Sequence, residues 1–259
     1  MKLLTLNCHA WQEENQLEKI KYLAKVISEE DFDVIALQEV SQLINDKKGI
    51  SKDNYVSILL KDLEDISKVK YNYVWDMSHI GYDKYEEGIA IITKHKIKQQ
   101  DSFYISKNTD INEFRSRKIV KARITIDEKD YDFYSCHLGW WQDEIDSFEN
   151  QADNLLKRVD ENILSFFMGD FNNNAFIRKE GYDYLLEKDL KDTFKMAEER
   201  DEGITAVGEI DGWGENKDNK RLDLILTNRA IEVIESQVIF NDINKKIVSD
   251  HYGVKVITK

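Results

Sequence analysis

Six short apolar segments of the sequence begin or end with polar residues of the kinds that bind metals or transfer protons. The segments read LLTLN, VIALQE, DFYSCH, SFFMGDFN, RLDLIL and SDHYGVKV. The first four carry their polar groups at the carboxyl end, and the last two carry them at the beginning. Burying such a group singly costs several kcal/mol unless it is paired or binds a metal. The residues concerned are Asn7, Glu39, His137, Asp170, Asn172, Asp223, Asp250 and His251.

These groups would meet at one edge of the sheets if the last two strands run opposite to the first four. Taken alone, each has an ordinary structural explanation. An Asp or Glu at a strand end is usually a turn former or a helix cap, and the segment from Gly169 to Asn172 consists of residues that favour turns. A lone His251 would usually be a hydrogen-bonded structural histidine. Six coincidences of this kind in one chain favour a shared site.

The elements that would position these groups follow from the periodicity. Apolar runs of strand type alternate with helix-period segments, which predicts one layered α/β domain over residues 1–259. Several runs are almost continuously apolar, so both sheet faces should be buried between other layers. Asn15 followed by Glu18 resembles a capping box at the start of the first helix. The predicted buried helix faces are Leu17, Ile20, Leu23, Ala24 and Ile27, and then Phe148, Ala152, Leu155, Leu156 and Val159.

Composition narrows the class of protein. The chain has 259 residues, is 41% hydrophobic and carries a net charge of −13, which disfavours a partner held mainly through a phosphate backbone. No apolar run approaches the roughly 20 residues of a membrane span. The amino terminus resembles a first strand and not a secretory signal. Cys8 and Cys136 both fall in apolar segments, so a disulfide framework is not expected. The expected location is therefore the reducing cytoplasm.

An ordered set of motifs carries a family resemblance. LTLN, ALQEV, GIAIIT, SCHLG, GDFN, RLDLIL and SDH follow one another from Asn7 to His251. GDFN alone would be weak support, but the ordered set resembles the endonuclease/exonuclease/phosphatase superfamily, which includes deoxyribonuclease I, abasic endonucleases of the exonuclease III type, sphingomyelinases and inositol phosphatases. The resemblance implies a four-layer sandwich of two packed mixed β-sheets flanked by helices. It also implies metal-dependent hydrolysis of a phosphate ester, with Mg²⁺ expected and Mn²⁺ as a possible substitute.

The resemblance assigns metal and water roles to matching residues. Glu39 is the principal metal ligand with Asn7 beside it, and Asp250 either adds a ligand or holds His251. His251 orients or deprotonates the attacking water, and which group is the general base stays open. The remaining assignments are Asp170 and Asn172, which place the water and bind phosphoryl oxygens, and Asp223, an inner-site carboxylate with no single role.

The resemblance also assigns the phosphate contacts. His137 would touch the phosphate or the leaving group, and Glu87 resembles the glutamate that orients this histidine. Arg117, in FRSRKIVKA, resembles a phosphate-clamping arginine, with Arg115 as the fallback. Such hydrolysis requires neutralisation of the phosphoryl charge, a water in line with the leaving group and stabilisation of the leaving oxygen.

Aromatic loops next to these motifs indicate the substrate. Tyr82 precedes Glu87, Trp140 and Trp141 follow His137, and Asp211 and Trp213 precede Asp223. Aromatic faces with adjacent acids suit a sugar, although each aromatic could instead pack into the core. Of the two adjacent tryptophans, one can pack inward while the other lines the pocket. HIGYDKYEEG, CHLGWW and IDGW resemble the cytoplasmic sugar-phosphate phosphatases of this superfamily, in particular the maltose 6'-phosphate phosphatases.

Other functions compete with the sugar-phosphate prediction. A nuclease of the abasic endonuclease or exonuclease type should surround its groove with basic residues and aromatic wedges, and basic clusters are few. A phosphodiesterase of the sphingomyelinase type would need export or an apolar docking loop, and neither is evident. A binding module with an inactive site is disfavoured by the complete catalytic set. The expected partner is therefore a small sugar phosphate, with nucleic acid and membrane disfavoured.

Overall fold

The computed structural model describes residues 1–45 and 49–259. Its helices are α1 (Gln16–Glu30), α2 (Tyr55–Ile66), α3 (Phe148–Leu156), α4 (Gly181–Glu187) and α5 (Thr193–Met196). Its strands are β1 (Lys2–Asn7), β2 (Val34–Leu43), β3 (Asn72–Gly81), β4 (Tyr85–Thr93), β5 (Ile97–Tyr104), β6 (Lys118–Ile126), β7 (Lys129–His137), β8 (Leu164–Asp170), β9 (Lys191–Asp192), β10 (Ala197–Arg200), β11 (Asp223–Thr227), β12 (Val233–Ile239) and β13 (Gly253–Thr258). No helix among these combines the length and apolar character needed to cross a bilayer.

The strands form two mixed sheets. One has the order β10-β12-β13-β1-β2-β4-β3 and the other the order β5-β6-β7-β8-β11-β9. In the first sheet β1 is parallel to β2, and β13 is antiparallel to β1. In the second, β7 is parallel to β8, and β11 is antiparallel to β8. The ends of the first four polar-tipped strands and the beginnings of the last two therefore lie at one edge, as the sequence predicts.

The two sheets pack face to face, with helices on their outer faces. The layer between the sheets is apolar and includes Leu3, Ile91, Phe133 and Phe166. A second cluster joins α1 and α2 to the outside of the seven-stranded sheet, and a third joins α3 and α4 to the outside of the six-stranded sheet. Both sheet faces are thus buried, which explains the nearly continuous apolar strands. The expected four-layer sandwich is confirmed.

The first helix corrects two sequence-based expectations. Its buried face includes Ile20, Leu23 and Ile27, but Leu17 is 60% exposed. Asn15 has the left-handed backbone conformation (φ 55°) and its side chain makes no capping hydrogen bond, so the predicted capping box is wrong. Its backbone carbonyl accepts instead, from the amide of Glu18 at 2.9 Å. A left-handed first residue turns the side chain away from the amides that a capping box would satisfy.

Several elements have no clear sequence signal. β5 is an edge strand that is mostly exposed and rich in polar residues, so it lacks the apolar run by which strands were recognised. β3 mixes exposed and buried positions without strict alternation.

Cys8 and Cys136 are both buried and unpaired. Burial raises the pKa of each thiol well above its usual range, so both remain protonated at neutral pH.

Candidate active site

A cavity of about 270 Å³ opens at the edge where the polar strand ends meet. Both sheets and several of the loops between their strands contribute to its walls, and most of the sequence-predicted residues lie on it. The lining consists of Glu39, His79, Gly81, Tyr82, Glu87, Phe114, Arg117, His137, Trp140, Asp170, Asn172, Asp211, Gly212 and His251.

Asp170 lies at the centre of this group. The side-chain amide of Asn7 donates to Asp170 Oδ2 at 3.2 Å and to Glu39 Oε1 at 2.8 Å, and so connects the two sheets. The backbone amide of Asn172 donates to Asp170 Oδ1 at 2.8 Å. Asp170 Oδ2 is also 3.8 Å from Nε2 of both His137 and His251. One carboxylate therefore lies within reach of both imidazoles.

The backbone is specialised where it presents these groups. β2 shifts register between Leu37 and Val40, and Glu39 has a φ of 52° within this irregularity. A β-bulge of this kind redirects a side chain, and such backbone strain is concentrated at functional sites. At Gly169, immediately before Asp170, a Cβ would lie 1.9 Å from the carbonyl oxygen of Cys136. Only glycine allows β7 and β8 to approach this closely beside the site.

His251 is paired with Asp223. Its Nδ1 is 2.9 Å from Asp223 Oδ2, and Asp223 is fully buried. Burial disfavours the charged imidazole, but the charges of Asp223 and Asp170 outweigh this and raise the pKa of His251 well above its usual range. Asp250, the alternative partner from the sequence, lies instead 3.5 Å from His9 Nδ1. Asp250 and His251 therefore have different hydrogen-bond and ion-pair partners.

One wall of the cavity is cationic. Arg117 Nη1 is 3.3 Å from His137 Nε2, and the guanidinium lies 5.4 Å from the ring centroid of Trp140. Burial and the neighbouring Arg117 charge hold the pKa of His137 well below its usual range, so this imidazole is neutral. Within the described chain, the buried Arg117 Nε and Trp140 Nε1 have no hydrogen-bond acceptor. Arg115, the fallback residue, is paired with Asp143 at 2.7 Å.

Glu87 has a different partner from the one expected. Its Oε1 is 3.4 Å from Nε2 of His79, and the other ring nitrogen of His79 is 3.3 Å from the carbonyl oxygen of Ser116. The reason is the register of the β3–β4 pair, which places His79 opposite Glu87. The expected contact between Glu87 and His137 is therefore replaced by one with His79. Sequence reasoning missed His79 because it lies inside an unpredicted strand.

The aromatic residues divide between the cavity and the core. Trp140 lines the cavity, whereas Trp141 packs against Phe148 and Tyr184 with ring centroids 6.1 Å apart in each case. The structure thus places Trp141 in the apolar layer under the six-stranded sheet and not on the cavity wall. Trp213 is a neighbour of the wall, since its indole N–H donates to Asn172 Oδ1 at 3.2 Å.

Two loops meet at the mouth of the cavity. The hydroxyl of Tyr82, in the turn between β3 and β4, donates to the carboxylate of Asp211. Gly212 lies against Trp140 so closely that a Cβ there would be 2.7 Å from the indole. These contacts connect the predicted sugar-binding residues to each other across the mouth.

Glu39 lies close to other acidic side chains. Burial and the nearby charges of Glu87 and Asp250 raise the pKa of Glu39 to about 8, although the His9 charge and the Asn7 hydrogen bond oppose this. Carboxylates crowded in this way are stabilised by a hard cation with oxygen ligands. The described chain has two groups whose potential ligand atoms lie within 4.8 Å of one another: His9, Glu13 and Asp250, and Asp170, Asp223 and His251.

Known proteins resemble this chain in both sequence and fold. Residues 12–251 match the model of the Endonuclease/Exonuclease/phosphatase family. A structure described as an endonuclease/exonuclease/phosphatase family protein from Leptotrichia buccalis is 44% identical, with 100% of this chain and 99% of that chain covered and a TM-score of 0.94. No curated protein gave a significant match.

Two more distant structures share the fold. The mannosyl-6-phosphatase of Bacteroides thetaiotaomicron is 17% identical, with 100% of this chain and 99% of that chain covered and a TM-score of 0.72. D. rerio TDP2 complexed with a single-strand DNA product is 14% identical, with 99% of this chain and 97% of that chain covered and a TM-score of 0.66. At these identities the similarity concerns the fold alone.

Proposed function

Because the chain belongs to the endonuclease/exonuclease/phosphatase family of phosphate ester hydrolases, we propose that it is a metal-dependent phosphomonoesterase of the cytoplasm. Its proposed substrate is a sugar phosphate, in particular a phosphorylated disaccharide such as maltose 6'-phosphate. The observation that carries the proposal is a small cavity whose inner wall offers buried donors and whose mouth is aromatic.

The inner wall suits a terminal phosphate. Arg117 and the neutral His137 face the cavity, and the unpartnered Arg117 Nε and Trp140 Nε1 are donors with no acceptor in the described chain. A guanidinium is well matched to phosphoryl oxygens. The volume of about 270 Å³ is close to the lower end of small-molecule pockets, about 300–1,000 Å³. A phosphate with one sugar ring suits this space, so the second sugar of a disaccharide would extend past Tyr82 and Asp211.

The mouth suits a sugar better than a nucleic acid. An indole face at Trp140 and the acid and hydroxyl of Asp211 and Tyr82 match the apolar faces and hydroxyls of a sugar ring. Strand-binding channels instead combine stacked aromatics with a positively charged groove, and this chain has a net charge of −13. The mannosyl-6-phosphatase of similar fold is an example of a protein with this architecture that is named for a sugar phosphate.

Charge on the phosphoryl group must be neutralised from two sides. A divalent cation held by Glu39, Asn7 and Asp250 would supply Lewis-acid stabilisation of the phosphoryl oxygens. From the other side, Arg117 donates hydrogen bonds to the same oxygens. His137, being neutral, donates a single N–H to the phosphate or to the leaving oxygen.

The attacking water is assigned to the space between Asp170 and His251. Asp170 Oδ2 and His251 Nε2 are 3.8 Å apart, so a water beside them can hydrogen bond to both. Its proton passes to Asp170 in this pair as the oxygen attacks phosphorus, and the sugar oxygen leaves as a hydroxyl by taking a proton from solvent. Asp223 fixes the His251 tautomer and stabilises the imidazolium.

The adjacent tryptophans provide the test of the substrate. We expect Trp140→Ala to raise KM for maltose 6'-phosphate about 5-fold, because stacking contacts of this kind are worth roughly 1 kcal/mol. KM for glycerol 3-phosphate, which has no ring to stack on the indole, should change less. Trp141→Ala is the matched control: it should lower the free energy of unfolding, because the half-buried Trp141 packs against Phe148 and Tyr184, and it should leave KM unchanged. Steady-state kinetics and urea unfolding measure both, and a raised KM in Trp141→Ala alone would refute the assignment.

A further inference from the structure

The carboxylate of Glu13 contacts Asp250, His9 and Lys19. Glu13 Oε1 accepts a hydrogen bond from the backbone amide of Asp250 at 3.0 Å and lies 2.8 Å from His9 Nδ1. Glu13 Oε2 is 2.5 Å from the ammonium group of Lys19. The same His9 nitrogen is 3.5 Å from Asp250 Oδ1. The backbone and the side chain of Asp250 are therefore both tied to one ion-pair network.

The segment that carries this network also touches the other two proposed metal ligands. The backbone amide of His9 donates to Asn7 Oδ1 at 3.1 Å, which directs the NH₂ group of Asn7 toward Glu39. The amide of Ala10 donates to the carbonyl oxygen of Glu39 at 3.3 Å. His9 has a φ of 42°, a left-handed conformation that is uncommon for a residue other than glycine. The segment of residues 9–13 thus contacts Asn7, Glu39 and Asp250 together.

We propose that His9 and Glu13 are positioning residues of the metal site, which hold Asp250 and Asn7 in place and so increase the affinity for the cation. The inference rests on the metal site in the proposed function but does not depend on which ester is hydrolysed. Residues that hydrogen bond to metal ligands orient those ligands, and loss of such a residue typically costs about 10–100-fold in metal affinity. Glu13 Oε1 accepts a hydrogen bond from the backbone amide of Asp250 and Glu13 Oε2 pairs with Lys19, so we assign Glu13 to holding Asp250 in place.

The test measures binding of Mn²⁺ alone to the whole chain without substrate, by titration with detection of free Mn²⁺ by electron paramagnetic resonance. We expect Kd to rise about 10–100-fold in Glu13→Ala and in His9→Ala. His9→Asn should lose less, because its amide keeps a donor near the position of Nδ1. The double variant should be no worse than the more affected single variant, since both residues act through one network.

His95→Asn is the matched control. His95 forms a similar imidazole–carboxylate pair with Asp33, at 2.7 Å, which is not part of the cavity lining. Its loss should leave Kd for Mn²⁺ unchanged. A purely structural role of His9 and Glu13 predicts a lower Tm with an unchanged Kd, and that result in Glu13→Ala or His9→Ala would overturn the inference. Loss of Mn²⁺ affinity in a protein that releases no phosphate from sugars would support the inference while refuting the proposed substrate.

Discussion

Glu39→Gln is expected to lower kcat/KM for a sugar phosphate about 1,000-fold or more. The substitution keeps the shape of the side chain but removes the charge that the proposed site presents to a divalent cation. Metal-assisted stabilisation of phosphoryl oxygens is worth several kcal/mol, and about 4 kcal/mol corresponds to about 1,000-fold in rate. Steady-state kinetics at saturating Mg²⁺ measure the effect, and the wild-type protein treated with a chelator should lose activity to a similar extent.

Stability separates this effect from misfolding. Because burial and the charges of Glu87 and Asp250 raise the pKa of Glu39 to about 8, its ionised form is disfavoured in the folded protein. Glu39→Gln should therefore be at least as stable as the wild type when no metal is added. Glu86→Gln is a control on the neighbouring strand, where Glu86 accepts from Gln42 at 2.6 Å away from the cavity. Activity near normal in Glu39→Gln would refute the proposed role of this carboxylate.

His251→Ala is expected to lower kcat about 100- to 10,000-fold with a small change in KM. The imidazole is proposed to hold the attacking water while Asp170 takes its proton, and general acid–base groups contribute about this much. Single-turnover phosphate release with saturating sugar phosphate would isolate the chemical step.

Asp223→Asn provides the companion measurement. Asp223 touches His251 at 2.9 Å and is fully buried, so the variant should lose most of the same rate while the imidazole remains present. The double variant should be little slower than His251→Ala, because residues that act as a unit have non-additive effects. Fully multiplicative losses, or a normal kcat in His251→Ala, would contradict the pairing.

The positions of the site residues were largely predictable from strand ends. Polar residues interrupt buried apolar runs at Asn7, Glu39, His137 and Asp170, and the opposed directions of β1 and β13 bring Asp250 to the same edge. This part succeeds because a polar group inside such a run is costly without a partner. The four-layer arrangement was predictable for a related reason, since strands that are apolar on both faces must be covered on both faces.

The pairings within the site were not predictable, because they depend on register and backbone conformation. The β3–β4 register places Glu87 on His79, and no polar strand end marks His79. Asp223 instead of Asp250 holds His251, although Asp250 is the chain neighbour of His251. The two adjacent tryptophans carry no sequence signal that separates Trp140, on the cavity, from Trp141, which packs against Phe148 and Tyr184.

The most direct test compares the hydrolysis of two substrates in the presence of Mg²⁺. One is the phosphomonoester maltose 6'-phosphate, and the other is the phosphodiester in which a methyl group is added to the same phosphate. Only the monoester has a terminal phosphate for the donors of the inner cavity wall. We predict that kcat/KM for the monoester, measured as released inorganic phosphate, exceeds that for hydrolysis of the diester by at least about 100-fold, or roughly 2.7 kcal/mol. Faster hydrolysis of the diester, or cleavage of an abasic oligonucleotide at enzyme-like rates without phosphate release from sugars, would contradict a sugar-phosphate monoesterase.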